Sequence, residues 1–407
     1  MLENKTKIKI TISDTAPLYP PRWGGPRRIW NLYGNFSPEL FDTTYVGVTF
    51  EKIKDARYKY QRIRSNFKEI LSAFPPHYYF WHAIEKAIFR NTSLDLFVYL
   101  GMHTDWQFKY ILNSQNADII ICSHPWSSLC IDKNNRKFFI YDAHNCEYLL
   151  MDRILKNHIL KGLILRQVRQ IEADACKKSN LMLVCSEKEK KDFIDLYDVD
   201  ADKIIVVSNG ANIDKNNRQA AGGDYRTKLS LLPKDKVIIF IGAYYKPNID
   251  AARFIIEKLS HELKEFKFLI IGTVFGAFKK EQLPSNVKLL GWITDEDLDT
   301  VLRASDIAIN PMFDGSGVNI KMLEYMSYGL PIVTTECGSR GIETNGKHPM
   351  IVSTIGKFID NIRMLSNDSL LYKKMSADGR SLAAESYDWE AISSNLQEMI
   401  VERFRRV

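Results

Sequence analysis

Residues 306–335 read DIAINPMFDGSGVNIKMLEYMSYGLPIVTT, and this stretch decides the fold that the sequence predicts. The apolar run Ile307–Asn310 is typical of a buried strand, a Gly-Ser-Gly turn follows at 315–317, and a helical pattern covers Asn319–Tyr328. A second apolar strand then covers Pro331–Thr334. Strands that alternate with helices in this way form parallel sheets whose two faces are covered by helices.

The same alternation extends over almost the whole chain. It predicts an α/β protein with two doubly wound, Rossmann-like domains. The clearest helical pattern in the first half covers residues 147–178. The other predicted strands are Lys7–Ser13, Thr43–Thr49, Asp118–Ser123, Lys137–Asp142, Leu181–Cys185, Lys203–Val207, Lys236–Gly242, Phe266–Gly272, Val287–Leu290 and Met350–Val352.

A polar segment rich in Gly and Asn, residues 208–235, is typical of a linker between domains. We therefore expect an N-terminal Rossmann-like domain over 1–207 and a C-terminal one over 236–385. Residues 386–407 form an amphipathic helix that we expect to pack back toward the N-terminal domain. Because ligands of doubly wound sheets bind outside the carboxyl ends of the strands, we expect a site in a cleft between the domains.

The composition is that of a globular protein, with 45% hydrophobic and 26% charged residues. No apolar run reaches the roughly 18–20 residues of a membrane-spanning helix. The N-terminal stretch MLENKTKIKITIS alternates apolar residues with lysines and lacks the apolar core of a signal peptide. The six cysteines form no C-x-x-C pair, which argues against a disulfide framework or a zinc site. These patterns predict a cytoplasmic protein with no metal site.

The net charge of +7 is partly local, because the stretch from Lys52 to Lys68 holds seven basic residues against one acidic residue. One interpretation is a solvated helix face. The other is a surface for an anionic membrane or a phosphate-linked acceptor, centred on Lys59, Arg62 and Arg64. A nucleic-acid partner is not expected, since no recognised nucleic-acid module accompanies the stretch.

The Gly-Ser-Gly turn at 315–317 carries the chemistry of the opening stretch. Backbone amides of such a turn can approach an anion closely, and the following helix N-terminus adds free N–H groups and a positive dipole end. Lys321 supplies a charge, and Glu324 lies three residues later on nearly the same helix face. A diphosphate suits the first features, and two adjacent ribose hydroxyls suit the carboxylate. The alternative is a plain strand, turn and helix with a surface Lys–Glu pair.

The segment GSGVNIKMLEYMSYGLPIVTT resembles the donor-site signature of glycosyltransferase family 4, whose members have the GT-B fold. That signature is E-x7-E, and Glu324 matches its second Glu, which holds the nucleotide ribose in the family. The first Glu corresponds to Ser316, which is a departure from the pattern. The resemblance implies that the loop amides of Ser316, Gly317 and Val318, together with Asn319, lie at the donor sugar.

The resemblance continues in the N-terminal half. Gly24 and Gly25, in a loop after the first strand, match a glycine loop that lies against the donor phosphates, where the backbone approaches closely. The loop is not G-x-G-x-x-G, which argues against a dinucleotide-dependent dehydrogenase. His144, in FIYDAHNCEY, matches a histidine beside the donor sugar, with a plain hydrogen-bonding role as the alternative. His124, in IIICSHPW, is more simply structural, with a functional role as the alternative.

In the C-terminal half, FIGAYYKPNIDAARFI resembles the first loop of the family's second domain and contributes Gly242 and Lys246. Lys246 and Lys321 are implied to neutralise the departing diphosphate. The segment LLGWITDEDL resembles the stretch whose main chain borders the base, here around Trp292.

What the resemblance implies is a retaining, metal-independent glycosyltransferase with no cofactor. Its co-substrate would be a UDP- or GDP-sugar, and its acceptor a saccharide or a lipid-linked saccharide of cell-surface polysaccharide synthesis. The catalytic residues would be His144, Lys246 and Lys321, and the chain would work at the inner membrane face. Two alternatives stay open. One is a non-catalytic nucleotide-binding member or partner subunit, and the other is a sugar-nucleotide epimerase of the same fold.

Overall fold

The computed structural model of this chain contains two compact units. The first comprises Met1–Ser208 and Glu390–Val407, and the second comprises Asn209–Trp389. The described residues are 6–21, 24–49, 51, 58–74, 76–88, 104–132, 134–213, 226–315 and 318–406. Among them, no helix has both the length and the apolar character needed to cross a bilayer.

The first unit contains one sheet and its covering helices. Its strands are β1 (Ile8–Ser13), β2 (Phe41–Thr49), β3 (Tyr58–Arg64), β4 (Phe67–Ala73), β5 (Ile119–Ser123), β6 (Phe138–Ala143), β7 (Leu181–Val184) and β8 (Ile204–Val206). They lie in the order β3-β4-β2-β1-β5-β6-β7-β8. All neighbours are parallel except β3 and β4, which are antiparallel.

The helices of this unit explain why its central strands are continuous apolar runs. They are α1 (Gly24–Tyr33), α2 (Pro76–Ile88), α3 (Trp106–Ser114), α4 (Glu147–Ile154), α5 (Lys161–Lys178) and α6 (Glu187–Tyr197). Every residue of β5 and β6 is buried, as expected for strands with helices on both faces. One apolar cluster contains Phe108 and Trp126, and a separate one contains Tyr141 and Phe193.

Two predictions for this unit are corrected. The basic stretch is not a helix face where the structure describes it, since residues 58–64 form the edge strand β3, paired with β4. The neighbouring positions 52–57 lie outside the described residues. The single helix expected over 147–178 is two helices, because α4 ends at Ile154 and α5 begins at Lys161.

The second unit contains a parallel sheet of strands β9 (Lys236–Ile241), β10 (Phe266–Ile271), β11 (Val287–Gly291), β12 (Ile307–Asn310), β13 (Ile332–Thr334) and β14 (Met350–Val352). Their order is β11-β10-β9-β12-β13-β14. Its helices are α7 (Lys246–Phe254), α8 (Asp295–Ala304), α9 (Ile320–Ser327), α10 (Glu336–Ser339), α11 (Phe358–Asn367) and α12 (Ser369–Ser386). A π-helical turn, Ile255–Leu259, continues α7. The predicted α/β class with two doubly wound sheets is confirmed.

In both sheets the strand order reverses direction next to the first strand. After β1 the chain moves to one side through β2 and then returns to the other side at β5. After β9 it moves through β10 and β11 and returns at β12. Doubly wound sheets bind ligands at such reversal points, outside the carboxyl ends of the strands. The residues after β1 and β5, and after β9 and β12, are therefore the positions to inspect.

The segment expected as a linker belongs to the second unit over the described residues 209–213 and 226–235, while Ser208 belongs to the first unit. Ala211 forms a bridge with Asp388, and the Arg226 guanidinium contacts both carboxylate oxygens of Asp306 at 2.8 Å. The last helix, α13 (Trp389–Arg405), contributes to the first unit from Glu390 onward. There its Ser393 hydroxyl donates to the Leu32 carbonyl at 2.6 Å.

Candidate functional site

Residues 335–340, which follow β13, form hydrogen bonds with the loop that follows β12. The Thr335 hydroxyl donates to the Met312 carbonyl at 2.6 Å, and the Arg340 guanidinium donates to the Gly315 carbonyl at 2.6 Å. The Asn319 amide donates to the Gly338 carbonyl at 3.2 Å. These bonds fix both ends of the loop, whose middle residues Ser316 and Gly317 lie outside the described residues.

Two positions in or next to that segment, 338 and 341, are glycines because a larger side chain would collide with neighbouring atoms. A Cβ at Gly338 would lie 2.2 Å from the Thr334 hydroxyl oxygen and 2.6 Å from the Asn310 carbonyl oxygen. Gly341 has φ +74°, and a Cβ there would lie 2.7 Å from a methyl group of Val318. The support role of Arg340 was not predicted from the sequence. The sequence feature that could have indicated this role is the position of Arg340 in ECGSRG, shortly after the end of a strand.

Lys321 lies in the first turn of α9, as predicted, but it is half-buried rather than free at the surface. Its ammonium donates to the Asn248 side-chain oxygen at 2.8 Å and lies 4.4 Å from the centre of the Phe240 ring. The Asn248 amide in turn donates to the Ala243 carbonyl at 3.2 Å. Burial lowers the pKa of Lys321 to about 7, and the nearby Glu324 carboxylate opposes this shift.

Glu324 lies one turn further along α9 and is half-buried. The structure therefore brings Lys321 and Glu324 together on one helix, beside the reversal point of the sheet. The helix itself is anchored by Tyr325, whose hydroxyl oxygen accepts a hydrogen bond from the Ile241 backbone N–H at 2.8 Å. This contact ties α9 to the carboxyl end of β9.

Three glycines end the neighbouring strands at the same edge. The Gly242 N–H donates to the Ile271 carbonyl at 2.8 Å, and the Gly272 N–H donates to the Gly291 carbonyl at 2.7 Å. Gly272 has φ +101°, and a Cβ there would lie 2.3 Å from the Gly242 carbonyl oxygen. Glycine at 272 thus permits the backbones to pass closely, and Gly242 lies within this edge.

Two other predicted donor residues of this unit are at the surface. Trp292, directly after β11, is 62% exposed. Lys246 begins α7, is also exposed, and forms an ion pair with Asp250 one turn along the same helix. The structure shows no contact that joins Lys246 to Lys321 among the described residues, and the roles of both residues stay predictions.

In the first unit, His144 follows β6 and its side chain is 7% exposed. A Cβ placed on Gly25 would lie 3.7 Å from His144 Nδ1, so the structure brings these two predicted residues together. The predicted glycine loop is corrected, because Gly24 and Gly25 are the first residues of α1. The closeness of Gly25 to His144 therefore comes from a helix N-terminus.

The strand that ends at Ala143 also carries Asp142, which is fully buried. Its carboxylate accepts from the Arg28 guanidinium at 3.1 Å and from the Tyr33 hydroxyl at 2.9 Å. Burial alone would raise the pKa of Asp142, but the charge of Arg28 and the hydrogen bonds hold it below its usual value. Arg28 also donates to the Val207 carbonyl at 3.0 Å, so α1, β6 and the end of β8 meet at one charged core.

Glu172 is a buried residue of α5 that sequence reasoning missed. Its carboxylate accepts from the backbone N–H groups of Glu147 at 2.7 Å and Tyr148 at 3.1 Å, and from the Tyr197 hydroxyl at 2.6 Å. It thus caps the start of α4, directly after the loop that carries His144. A carboxylate in an apolar helix face, 25 residues from the groups it caps, gives little signal in the sequence.

The predicted surface patch of Lys59, Arg62 and Arg64 lies on β3. Lys59 pairs with Glu51 at 3.2 Å, and Arg62 donates to the Ser65 carbonyl at 3.3 Å. The Arg64 guanidinium donates to the Gly34 carbonyl and lies 4.7 Å from the centre of the Trp30 ring. Arg64 therefore has a structural role, and membrane contact by the patch stays a prediction.

Family models match two parts of the chain. The family described as "Glycosyltransferase Family 4" matches residues 70–215, and the family described as "Glycosyl transferases group 1" matches residues 235–368. The matches cover β5 to β8 and part of β4 in the first sheet and all six strands of the second sheet, and they include His144 and the Lys321–Glu324 segment.

Among curated proteins, a UDP-Gal:alpha-D-GlcNAc-diphosphoundecaprenol alpha-1,3-galactosyltransferase of Escherichia coli is 28% identical over 212 residues. The match covers 48% of this chain and 53% of that protein. Across four curated relatives, the chain spans 44% to 60% of their length.

Among solved structures, sucrose-phosphate synthase from Thermosynechococcus elongatus superposes with a TM-score of 0.72 at 11% identity, over 98% of this chain and 100% of that one. The Anabaena protein HepE in complex with UDP and glucose gives a TM-score of 0.65 at 13% identity, over 97% and 99%. These likenesses concern the fold, and together with the family matches they lead to one conclusion. The chain belongs to glycosyltransferase family 4 and has the GT-B fold.

Proposed function

We propose that this chain transfers a sugar from a nucleotide-sugar donor to a saccharide or lipid-linked acceptor, with retention at the anomeric carbon. The observation that carries the proposal is the pair Lys321 and Glu324 on one helix at the strand-order reversal of the second unit. In this arrangement the Lys321 ammonium suits the diphosphate of a nucleotide, and the Glu324 carboxylate suits the hydroxyls of its ribose. The relative from Escherichia coli, whose name includes UDP-Gal and a diphosphoundecaprenol acceptor, supports this substrate class.

Lys321 would bind the diphosphate. Its pKa of about 7 in the ligand-free protein leaves a mixture of charged and neutral forms near neutral pH. An approaching diphosphate favours the charged form, because an opposite charge within about 4–6 Å raises the pKa of an ammonium group. Asn248, at 2.8 Å, keeps the ammonium in place before the ligand arrives. The start of α9 and the loop before it would add backbone N–H donors.

Glu324 would accept hydrogen bonds from the two ribose hydroxyls. Its position one turn beyond Lys321 places the carboxylate on the same side of α9 as the ammonium. The base would lie along the main chain after Gly291, where Trp292 is exposed. Each nucleotide part then has a protein group of suitable chemistry in the second unit.

In the transfer step, the bond between the anomeric carbon and the diphosphate oxygen breaks, and a bond to the acceptor oxygen forms on the same face. The proton of the acceptor hydroxyl passes to the departing diphosphate, whose negative charge Lys321 and the backbone donors stabilise. His144 would hold a sugar hydroxyl. In this mechanism basic groups and a helix N-terminus do the work that a divalent cation does elsewhere. We place the protein in the cytoplasm, at the membrane face where a lipid-linked acceptor would be found.

A second candidate is a member of the family that binds nucleotide without turnover. Ser316 in place of the first carboxylate of the signature favours it, as does the pairing of Lys246 with Asp250.

A thermal-shift screen with UDP, GDP and their sugars, followed by a transfer assay, tests the proposal. One nucleoside diphosphate should stabilise the protein by about 2.7 kcal/mol at a hundred times its Kd, while its nucleoside should not. The matching sugar nucleotide should be consumed faster with acceptor, with the anomeric configuration retained in the product. Binding without hydrolysis or transfer would establish the non-catalytic alternative. A free epimerised sugar without acceptor would indicate the epimerase, and no nucleotide binding would refute all three.

A further inference from the structure

Two histidines and two carboxylates meet at the strand-order reversal of the first unit. Asp14 follows β1, His124 follows β5, and His144 follows β6. Asp14 Oδ1 lies 3.0 Å from His124 Nδ1, and Asp14 is buried, with a 2% exposed residue surface. The rings of His124 and His144 lie 4.4 Å apart between centres, at 60° to each other. Asp14, His124 and His144 thus form one connected cluster with Asp142 beside it.

His124 is held in an uncommon backbone conformation. Its φ is +81°, in the left-handed region that residues with a side chain adopt rarely and at a cost. Two contacts keep it there, since its backbone N–H donates to the Asp142 carbonyl at 3.3 Å and its ring faces Asp14. Such conformations persist where the surrounding structure fixes them, and they are concentrated at functional sites.

The charged groups around His124 favour its protonated form. Asp14 faces it from the end of β1, Glu147 acts on it from the start of α4, and His144 lies on its other side. Burial lowers the pKa of His124, but Asp14, through charge and hydrogen bond, and then Glu147 raise it to about 9. His124 is therefore a cation at neutral pH.

The groups around His144 favour its neutral form. Burial and then the charge of His124 lower the pKa of His144, and Arg28 adds to this, while Asp142 opposes them. The Asp142 carboxylate also accepts hydrogen bonds from Arg28 and Tyr33. The pKa of His144 ends below its ordinary value.

The position of Asp142 also selects a tautomer. His144 Nε2 lies 3.7 Å from Asp142 Oδ2, which is beyond a hydrogen bond but close enough for the carboxylate to favour a proton on that nitrogen. Nε2 has no hydrogen-bond partner among the described residues. Nδ1 is the nitrogen on the side of Gly25, at the N-terminus of α1. With the proton on Nε2, Nδ1 is a hydrogen-bond acceptor.

We propose that Asp14 and His124 are positioning residues that keep His144 neutral, with its Nδ1 as the acceptor for a substrate hydroxyl beside Gly25. The hydroxyl would belong to the transferred sugar or to the acceptor saccharide, and this part rests on the proposed function. His124 acts by its charge and by its ring contact, and Asp14 acts by holding that charge. Neither residue needs to touch the reacting atoms.

NMR titration of the ¹⁵N-histidine-labelled full chain, without substrate, tests the pair directly. His144→Gln and His124→Gln identify the two signals. In the wild type, His124 should titrate near pH 9, and His144 should titrate below pH 6.5 from the tautomer protonated at Nε2. In Asp14→Asn, the pKa of His124 should fall by about 1–3 units, and in His124→Gln the pKa of His144 should rise because the neighbouring cation is absent.

Two variants serve as controls, one for misfolding of Asp14→Asn and one for a non-specific effect of charge. His124→Gln removes the cation and leaves Asp14 in place, so it should raise the pKa of His144 even if Asp14→Asn folds poorly. Asp118→Asn neutralises an exposed carboxylate at the opposite end of β5 and should leave both titrations unchanged. A His144 titration that is the same in the wild type and in His124→Gln, or a His124 titration that is the same in the wild type and in Asp14→Asn, would overturn the proposal.

The transfer assay separates this proposal from the proposed function. In His124→Gln the acidic limb of the kcat–pH profile should move to higher pH together with the NMR titration of His144, while the KM for the donor changes little. If the pKa of His144 changes in the NMR titration but the kcat–pH profile does not, Asp14 and His124 do control the protonation of His144, and His144 has no role in transfer. A protein without transferase activity would still give the NMR result if the pair exists.

Discussion

At the scale of one residue, the burial of Lys321 lowers its pKa and thereby makes the proposed binding of a diphosphate depend on pH. Its ammonium is held against an aromatic ring and an amide oxygen, and its pKa is about 7. If this group binds a diphosphate, the affinity should fall about tenfold for each pH unit above 7, because the neutral amine must take up a proton on binding. Calorimetry at pH 8 in buffers of different ionisation enthalpy should show the uptake of about one proton.

Two variants of this pair give matched controls. Lys321→Arg keeps its charge at all relevant pH values and should flatten the pH dependence above pH 7. Asn248→Asp places a carboxylate at the position of the amide, so it should raise the pKa of Lys321 and move the affinity profile to higher pH. A wild-type affinity that does not change between pH 7 and pH 9 would mean that Lys321 does not contact the ligand.

The sequence predicted the pair Lys321 and Glu324 because a spacing of three residues fixes two side chains on one helix face. It did not predict Asn248 as the partner of Lys321, because the two are 73 residues apart and meet only in the folded sheet. The same holds for Arg340 and the loop carbonyl of Gly315, which are 25 residues apart. Local chemistry was predictable, and the contacts that position it were not.

At the scale of elements, β3 is the clearest departure from the sequence-based expectation. Its sequence Tyr-Lys-Tyr-Gln-Arg-Ile-Arg has no regular alternation, and most of its residues are exposed, as on an edge strand with two solvated faces. The sequence therefore lacks a period of two from which a strand could be predicted. The helix break between Ile154 and Lys161 was missed for a similar reason, since the flanking pattern is helical on both sides and contains no proline. The parallel strands were predicted well because buried strands are short, continuous apolar runs.

The edge strand also carries a prediction about membranes. Replacing Lys59, Arg62 and Arg64 by Gln should reduce association with vesicles that contain anionic lipid, at low salt, with a loss of about 1 kcal/mol per removed charge that contacts the surface. Flotation measures this. Neutral vesicles should show no such change, and salt should abolish it because the charges are screened.

Arg64 needs separate treatment, since it also stabilises the first unit through Gly34 and Trp30. The double variant of Lys59 and Arg62 alone tests charge without that loss. A control that replaces the exposed Lys373 and Lys374 removes two charges from the second unit, as many as the double variant removes. If the control and the patch variant float alike, the patch is a solvated surface.

At the scale of the whole molecule, each unit places its candidate residues at the reversal point of its own sheet. In the first unit these are Asp14, His124 and His144, and in the second they are Gly242 and the loop that leads to Lys321. The alternation of strands and helices in the sequence predicted the two doubly wound sheets. The resemblance of residues 315–335 to the donor-site signature predicted the family. The histidine cluster was not predicted, because its members come from three strands that are up to 130 residues apart.

The most direct test of the account is the calorimetric affinity of the full chain for UDP and GDP, measured for the wild type and for Glu324→Ala. Glu265→Ala, at the amino end of β10, is the matched control. Glu324→Ala should weaken the better nucleotide by about 1–3 kcal/mol, and it should have less effect on the analogue that lacks the 2′-hydroxyl. Equal affinity of wild type and Glu324→Ala for both ribonucleotides would contradict the claim that α9 binds the nucleotide ribose.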